Sequence, residues 1–215
     1  MFEEIVERLT SHYTGDKYLS ELKVAREDYF RKAGKVFEDE PIFETRMNAF
    51  LEWYLFDRPL WDSGLPPVRL YINMYGETLD EGRRNILRGL DHSIHSLFLM
   101  SSGYGSTVQV KDLIHDQTHT VSVAQTPIGP GKGDIFESRV IPMPQQKVFS
   151  DVLWVHPREA HDFIQSEVTR RKRQNNSDWE EFLFDLAYMK LKSDRYQHVS
   201  PNQIYSSDSK LGDRS

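Results

Sequence analysis

Apolar side chains recur every three or four positions through most of the first 95 residues, alternate in twos after Phe98, and return to the longer spacing after Pro157. The longer spacing lines one face of a helix, and alternation lines one face of a strand. The pattern predicts an α+β protein: an N-terminal helical bundle, a small five-stranded antiparallel (SH3-like) barrel or curled sheet, and a C-terminal helical pair. The boundaries it suggests are a helical domain over 1–95, a β-barrel module over 96–156, helices over 157–193 and a flexible tail over 194–215, with Tyr196, Val199 and Ile204 available to tack the tail down.

In the first part, a helix is expected over Phe2–Tyr13. A longer one runs from Asp16 to Val36, where Tyr18, Leu22, Ala25, Tyr29, Ala33 and Val36 share a face and Asp16 serves as N-cap. Ile42–Phe56 carries the strongest stripe, made by Phe43, Met47, Phe50, Leu51, Tyr54 and Leu55, and belongs at the centre of a helical core. Pro59 disfavours helical backbone at Arg58 and stops it, with Asp57 and Arg58 expected to pair at the helix end. A loop with Gly64, Pro66 and Pro67 precedes a short extended or helical piece over Val68–Tyr75. Thr78-Leu79-Asp80-Glu81 fits a capping box for a helix carrying Leu79, Ile86, Leu87, Leu90 and Ile94. Gly89 inside that pattern marks a break or a close contact.

Strands are expected at Ser96–Ser101, Thr107–Ile114, Thr118–Ala124, Asp134–Ile141 and Lys147–Val155, separated by turn clusters rich in Gly, Pro and Asp. Pro157 suits a first helical turn. Ala160, Phe163, Ile164 and Val168 supply the face of a helix that ends in Arg170-Arg171-Lys172-Arg173. Ser177-Asp178-Trp179-Glu180 reads as a second capping box, and Trp179, Phe182, Leu183 and Leu186 as the last helix.

Composition narrows the class. Aromatics make up 12% of the chain and hydrophobic residues 38%, enough to fold without staples. There is no cysteine, which excludes a disulfide framework, thiolate metal sites, iron–sulfur clusters and a thiol nucleophile. The N-terminal Met-Phe-Glu-Glu is acidic where a signal peptide is basic, and no run of about 18 apolar residues occurs, so a cytoplasmic location without a membrane span is expected. A net charge of −6 disfavours indiscriminate binding to nucleic acid.

The run Phe50-Leu51-Glu52-Trp53-Tyr54-Leu55-Phe56-Asp57-Arg58-Pro59-Leu60, followed by Val110-Lys111-Asp112-Leu113, Gly133-Asp134-Ile135 and a strand containing Arg139, resembles a group of uncharacterised bacterial cytosolic proteins. That group has a helical FLEWFLFDRPL-type segment followed by a small β module. The likeness covers roughly residues 40–155 and departs from the group's pattern at Trp61–Pro67. It implies the fold and no catalytic residue.

Candidate chemistry is sparse. His92 and His95 lie three apart on an expected helix but lack a Glu-x-x-His partner set, and His115 and His119 flank an expected hairpin turn around Asp116. Gly129-Pro130-Gly131-Lys132-Gly133 has no Ser or Thr after its lysine and no helix behind it, so it reads as a turn and not a phosphate loop. Neither metal nor cofactor is expected. The cations at 170–173 complement the helix dipole, and with Arg158 and Lys147 they also offer a phosphate-binding patch. These features favour a non-enzymatic adaptor or regulatory protein that binds another protein. Its candidate binding residues are Trp61, Tyr104, Trp154, Arg158, Arg170, Arg171, Lys172 and Arg173. The alternatives are nucleic-acid binding through the barrel and the basic run, and an enzyme with a site between the helical and β parts drawn from His92, His95, Asp57, Arg58 and Asp112.

Overall fold

The computed structural model describes residues 1–123 and 129–206, with only the backbone at Tyr104. Helices α1 (Phe2–Tyr13), α2 (Leu19–Ala33), α3 (Phe43–Phe56), α4 (Pro67–Tyr75) and α5 (Glu81–Asp91) come first. Strands β1 (Ile94–Tyr104), β2 (Thr107–Asp112), β3 (Thr118–Ser122), β4 (Ile135–Pro142) and β5 (Lys147–Val155) follow, then helices α6 (His161–Arg173), α7 (Trp179–Arg195) and α8 (Pro201–Ile204). The chain forms two compact units. The first contains Met1–Phe30, Val36–Ile94 and Val140–Val152; the second contains Arg31–Lys35, His95–Arg139 and the chain from Leu153. No helix among the described residues is long and apolar enough to cross a membrane.

In the first unit α1, α3, α4 and α5 pack on one another. Ile5, Leu9 and Tyr13 of α1, Phe50, Tyr54 and Leu55 of α3, Val68 of α4 and Leu87 and Leu90 of α5 are all buried. The Tyr54 hydroxyl donates to the Tyr13 carbonyl at 3.1 Å, so the phenol meets its polar requirement inside the core. Gly89 is required here for space: a Cβ would sit 2.3 Å from the Pro142 carbonyl oxygen.

Four local expectations are corrected. The helix predicted over 16–36 is interrupted: Asp16–Tyr18 is a 3-10 turn behind Gly15, Asp16 makes no capping bond, and α2 stops before Gly34 at φ +90°. Thr78 belongs to a 3-10 turn of its own, its hydroxyl bonded to the Tyr75 carbonyl, so the α5 cap falls to Asp80, which accepts from the Arg83 amide at 2.9 Å. Asp178, not Ser177, caps α7 in the same way through the Glu181 amide at 3.2 Å. Arg58 pairs with Glu21 of α2 at 2.9 Å, where the sequence suggests Asp57; the same Glu21 oxygen accepts from the Trp61 amide at 2.8 Å and ties the loop after Pro59 to α2.

The five expected strands are present, hydrogen-bonded in the order β1-β2-β3-β5-β4 and closed on themselves. β1 pairs antiparallel with β2, and β2 with β3 from Thr107↔Ser122 to Lys111↔Thr118. Direction cannot alternate around an odd number of strands, so a closed ring of five holds at least one parallel pair. The sheet is therefore mixed where the alternation pattern predicts antiparallel pairing throughout. The last residue of the expected third strand, Ala124, lies outside the described residues.

Leu97 of β1 and Ile135 of β4 are buried in one core with Ile164 and Val168 of α6 and Phe182, Leu183 and Leu186 of α7. Ile204 and Tyr205 join the same core, so part of the stretch predicted as a flexible tail is a packed helix and its exit. Ile204 is one of the side chains the sequence offers for tacking this stretch down, and Val199, another, packs against the same core.

Candidate functional site

The second unit carries its chemistry on the β2–β3 hairpin and on α6. Asp112 ends β2 with its carboxylate fully buried. Oδ1 accepts from Ser96 Oγ at 2.6 Å and from the amides of Ile114 and His115 at 2.9 and 3.0 Å, while Oδ2 lies 2.8 Å from His115 Nδ1. A buried carboxylate with that many partners organises the turn. The Asp112 amide closes it by donating to the Gln117 carbonyl at 2.7 Å. Asp116 then sits at the apex in left-handed conformation, φ 58°, which Asp tolerates better than most residues.

Opposite the turn, α6 buries Ile164 and Val168 and presents Gln165, Thr169 and Arg173 outward. Asp116 meets Lys172 at 2.6 Å. That hydrogen bond, with the lysine charge and then Lys111, holds the Asp116 carboxyl below its usual range. Between hairpin and helix lies a hollow of about 310 Å³, with Leu113 and Val168 in its lining and Lys111, Lys172 and Arg173 around them. Asp116 is the one carboxylate among its eight lining residues. A second hollow of about 440 Å³ shares Gln165, Thr169 and Arg173 and continues along α6 past Ser166 and Arg170 to Gln174.

The basic run is less available than its sequence suggests. Arg170 is bidentate to Glu167 at 3.0 and 2.7 Å and also reaches Gln174. The hydrogen bond from Arg170 and then its charge hold the Glu167 carboxyl below its usual range, against the opposing effect of burial. Arg171 lies 4.6 Å over the Phe182 ring, donates to the Asp178 carbonyl and stands 3.8 Å from Asp185. Lys172 is held by Asp116, and Arg158 by Asp134 at 2.8 Å. Arg173 is exposed and lines both hollows. Of the aromatic candidates, Trp154 is buried at 7% exposure and belongs to the core. Trp61 is 58% exposed and lies in the first unit, its ring 5.8 Å from the Arg58 guanidinium. The Tyr104 side chain lies outside the described residues.

The histidines also move. His92 is the C-cap of α5, with Nδ1 2.9 Å from the Arg88 carbonyl, and His95 is on β1, 2.9 Å from Glu137, so the two do not share a helix. His119 is buried, Nε2 3.9 Å from Asp112 and its ring edge-on to Phe98. Among the described residues no group of three or more His, Cys, Asp or Glu is arranged to hold a metal ion. Lys111, Gln165 and Thr169, which complete the hollow, are not singled out by sequence because each is one polar residue on an ordinary solvent face. Only the pairing of hairpin with α6 gives them a common address.

A family model described as a family of unknown function, DUF7986, matches residues 2–195. The chain belongs to this family. The match runs from α1 to the end of α7 and so takes in the hairpin, α6 and both hollows. It agrees with the resemblance to an uncharacterised group and assigns no activity. No curated protein and no solved structure matches the chain.

Proposed function

We propose that the protein is a non-enzymatic adaptor or regulatory protein that binds another protein through the second unit, its small barrel serving as an SH3-like module with α6 as one wall. The partner segment this surface suits is acidic with apolar anchors. The observation that carries the reading is the hollow itself: Leu113 and Val168 among three cations and one carboxylate. Apolar lining rewards burial of a side chain, and the cationic rim selects its neighbours.

Nucleic-acid binding is the weaker reading. Arg158, Arg170, Arg171 and Lys172 each already meet an oxygen within the chain, which leaves few cations to displace phosphate counterions, and the net charge is −6. Fluorescence anisotropy with three labelled probes separates the two. They are a peptide of alternating Glu and Leu, its Lys-for-Glu counterpart, and a single-stranded oligonucleotide. The acidic peptide binds at physiological salt, and the double variant Lys111→Glu/Arg173→Glu loses it by tenfold or more, about 1.4 kcal/mol. Tighter binding of the oligonucleotide than of the acidic peptide overturns the proposal in favour of nucleic acid.

A further inference from the structure

The hollow between hairpin and α6 carries an anion of its own. Asp116 belongs to the turn between β2 and β3 and has φ 58°, a backbone that Asn, Asp and Gly adopt most readily. The turn is fixed from beneath. Oδ1 of the buried Asp112 accepts from the amides of Ile114 and His115, and the Asp112 amide donates to the Gln117 carbonyl. Asp116 is thereby carried to one place, where its Oδ2 accepts from Lys172 Nζ of α6 at 2.6 Å. Both residues line the hollow, so their contact joins its hairpin wall to its helix wall.

The pair differs in kind from the one that engages Arg170. Glu167 and Arg170 lie three apart on the same helix, and neither lines the Leu113–Val168 hollow. Lys172 is one of the three cations around that hollow, and the Asp116 side chain that meets it is 65% exposed. An acidic segment seated on Leu113 and Val168 brings its own carboxylates to the same rim. At Lys172 it meets an ammonium already paired and, beside it, a charge of the same sign as its own. Full use of the three cations therefore requires an exchange in which a carboxylate of the segment replaces that of Asp116. An exposed ion pair is held weakly enough to be exchanged in this way.

We propose that Asp116 is an internal competitor for Lys172, displaced by a carboxylate of the bound acidic segment, and that it holds the affinity of the hollow below what its cations would otherwise give. This rests on the partner-binding reading.

Anisotropy of the labelled Glu–Leu peptide with the full chain tests it. Asp116→Asn keeps a residue type that suits the left-handed backbone and removes the charge, and it binds the peptide about three- to fivefold more tightly than the unaltered chain. Asp162→Asn changes the net charge equally at an exposed position in the first turn of α6. It stands about 15 Å along the helix from Lys172, beyond the screening length of about 8 Å at physiological salt, and leaves the affinity unchanged. Lys172→Met added to Asp116→Asn removes the gain, because the released ammonium is its source. A gain below about twofold, an equal gain from Asp162→Asn, or a gain that survives Lys172→Met overturns the competitor and leaves the partner-binding reading standing. Peptide binding by none of these proteins overturns both.

Discussion

The two units bury different chemistry. The core of the first is aliphatic and aromatic, with Tyr29 edge-on to Phe50 at 5.6 Å and Glu21 and Arg46 as its buried charged side chains. The second buries Asp112, His119, Glu137, Arg139, His156 and Lys192, together with Ser96 and Ser138. Apolar burial is strong but undirected, whereas a buried carboxylate or imidazole is tolerated only in the geometry that satisfies it. The first unit thus supplies a helical frame, and the second fixes one loop, the 112–117 turn, in a single shape against α6. The candidate surface lies where direction was enforced.

The largest effect expected from this contrast is at Asp112. Asp112→Ala strands the buried Ser96 hydroxyl, the buried Ile114 amide and the half-buried bonds from His115, and urea unfolding should show a loss of about 3 kcal/mol or more, with the acidic peptide no longer bound. A loss below about 1 kcal/mol would mean that the carboxylate does not organise the turn. In the first unit the counterpart is steric. Gly89→Ala forces a methyl group against the Pro142 carbonyl and should cost about 1–3 kcal/mol without altering peptide affinity, which urea unfolding and anisotropy together would reveal.

Next in size is a split in pH response. Burial, with Lys190 and His161 adding to it, depresses the His156 imidazole to about 3, and its Nδ1 lies 3.0 Å from the buried Tyr205 hydroxyl. Below the ordinary value of about 6.5 the unfolded chain takes up a proton that the folded chain refuses. Stability therefore falls as pH drops from there towards 3, by up to about 1.4 kcal/mol per pH unit and by about 1 kcal/mol at pH 5.5. His156→Phe should flatten that slope. In the first unit burial raises the Tyr54 phenol to about 12, so its contribution is present up to about pH 10 and is lost as pH rises through 12. Hydrogen exchange at acid and alkaline pH should thus loosen the β4–β5 region and the α1–α3 region respectively. The smallest effect belongs to Arg170→Ala: its pair with Glu167 is on the surface, and neither the unfolding midpoint nor peptide affinity should move, in contrast to Arg173→Glu.

Legibility in the sequence follows the same divide. α1, α3 and β5 lie where periodicity puts them, because long apolar stripes and alternation report directly on burial. Helix starts were displaced wherever two capping residues stood close together, as at Thr78 and Asp80 or Ser177 and Asp178, since spacing alone does not rank them. The basic run is visible in sequence, but its neutralisation by Glu167, Asp116 and Asp185 is not: two of those carboxylates come from other elements. Glu137 and Arg139 look like the solvent face of a strand and are buried instead, because β4 is covered on both sides. The Leu113–Val168 hollow needs the tertiary pairing of hairpin and helix and has no signature along the chain.

The most direct test of partner binding is site-specific photocrosslinking in the native cell, with a photoreactive amino acid at Thr169, which lines both hollows. Mass spectrometry should find the crosslink on a protein segment that combines acidic and apolar residues, and Lys111→Glu/Arg173→Glu should abolish it. Crosslinks to RNA alone, or to a protein segment that the double variant captures equally well, would contradict the account.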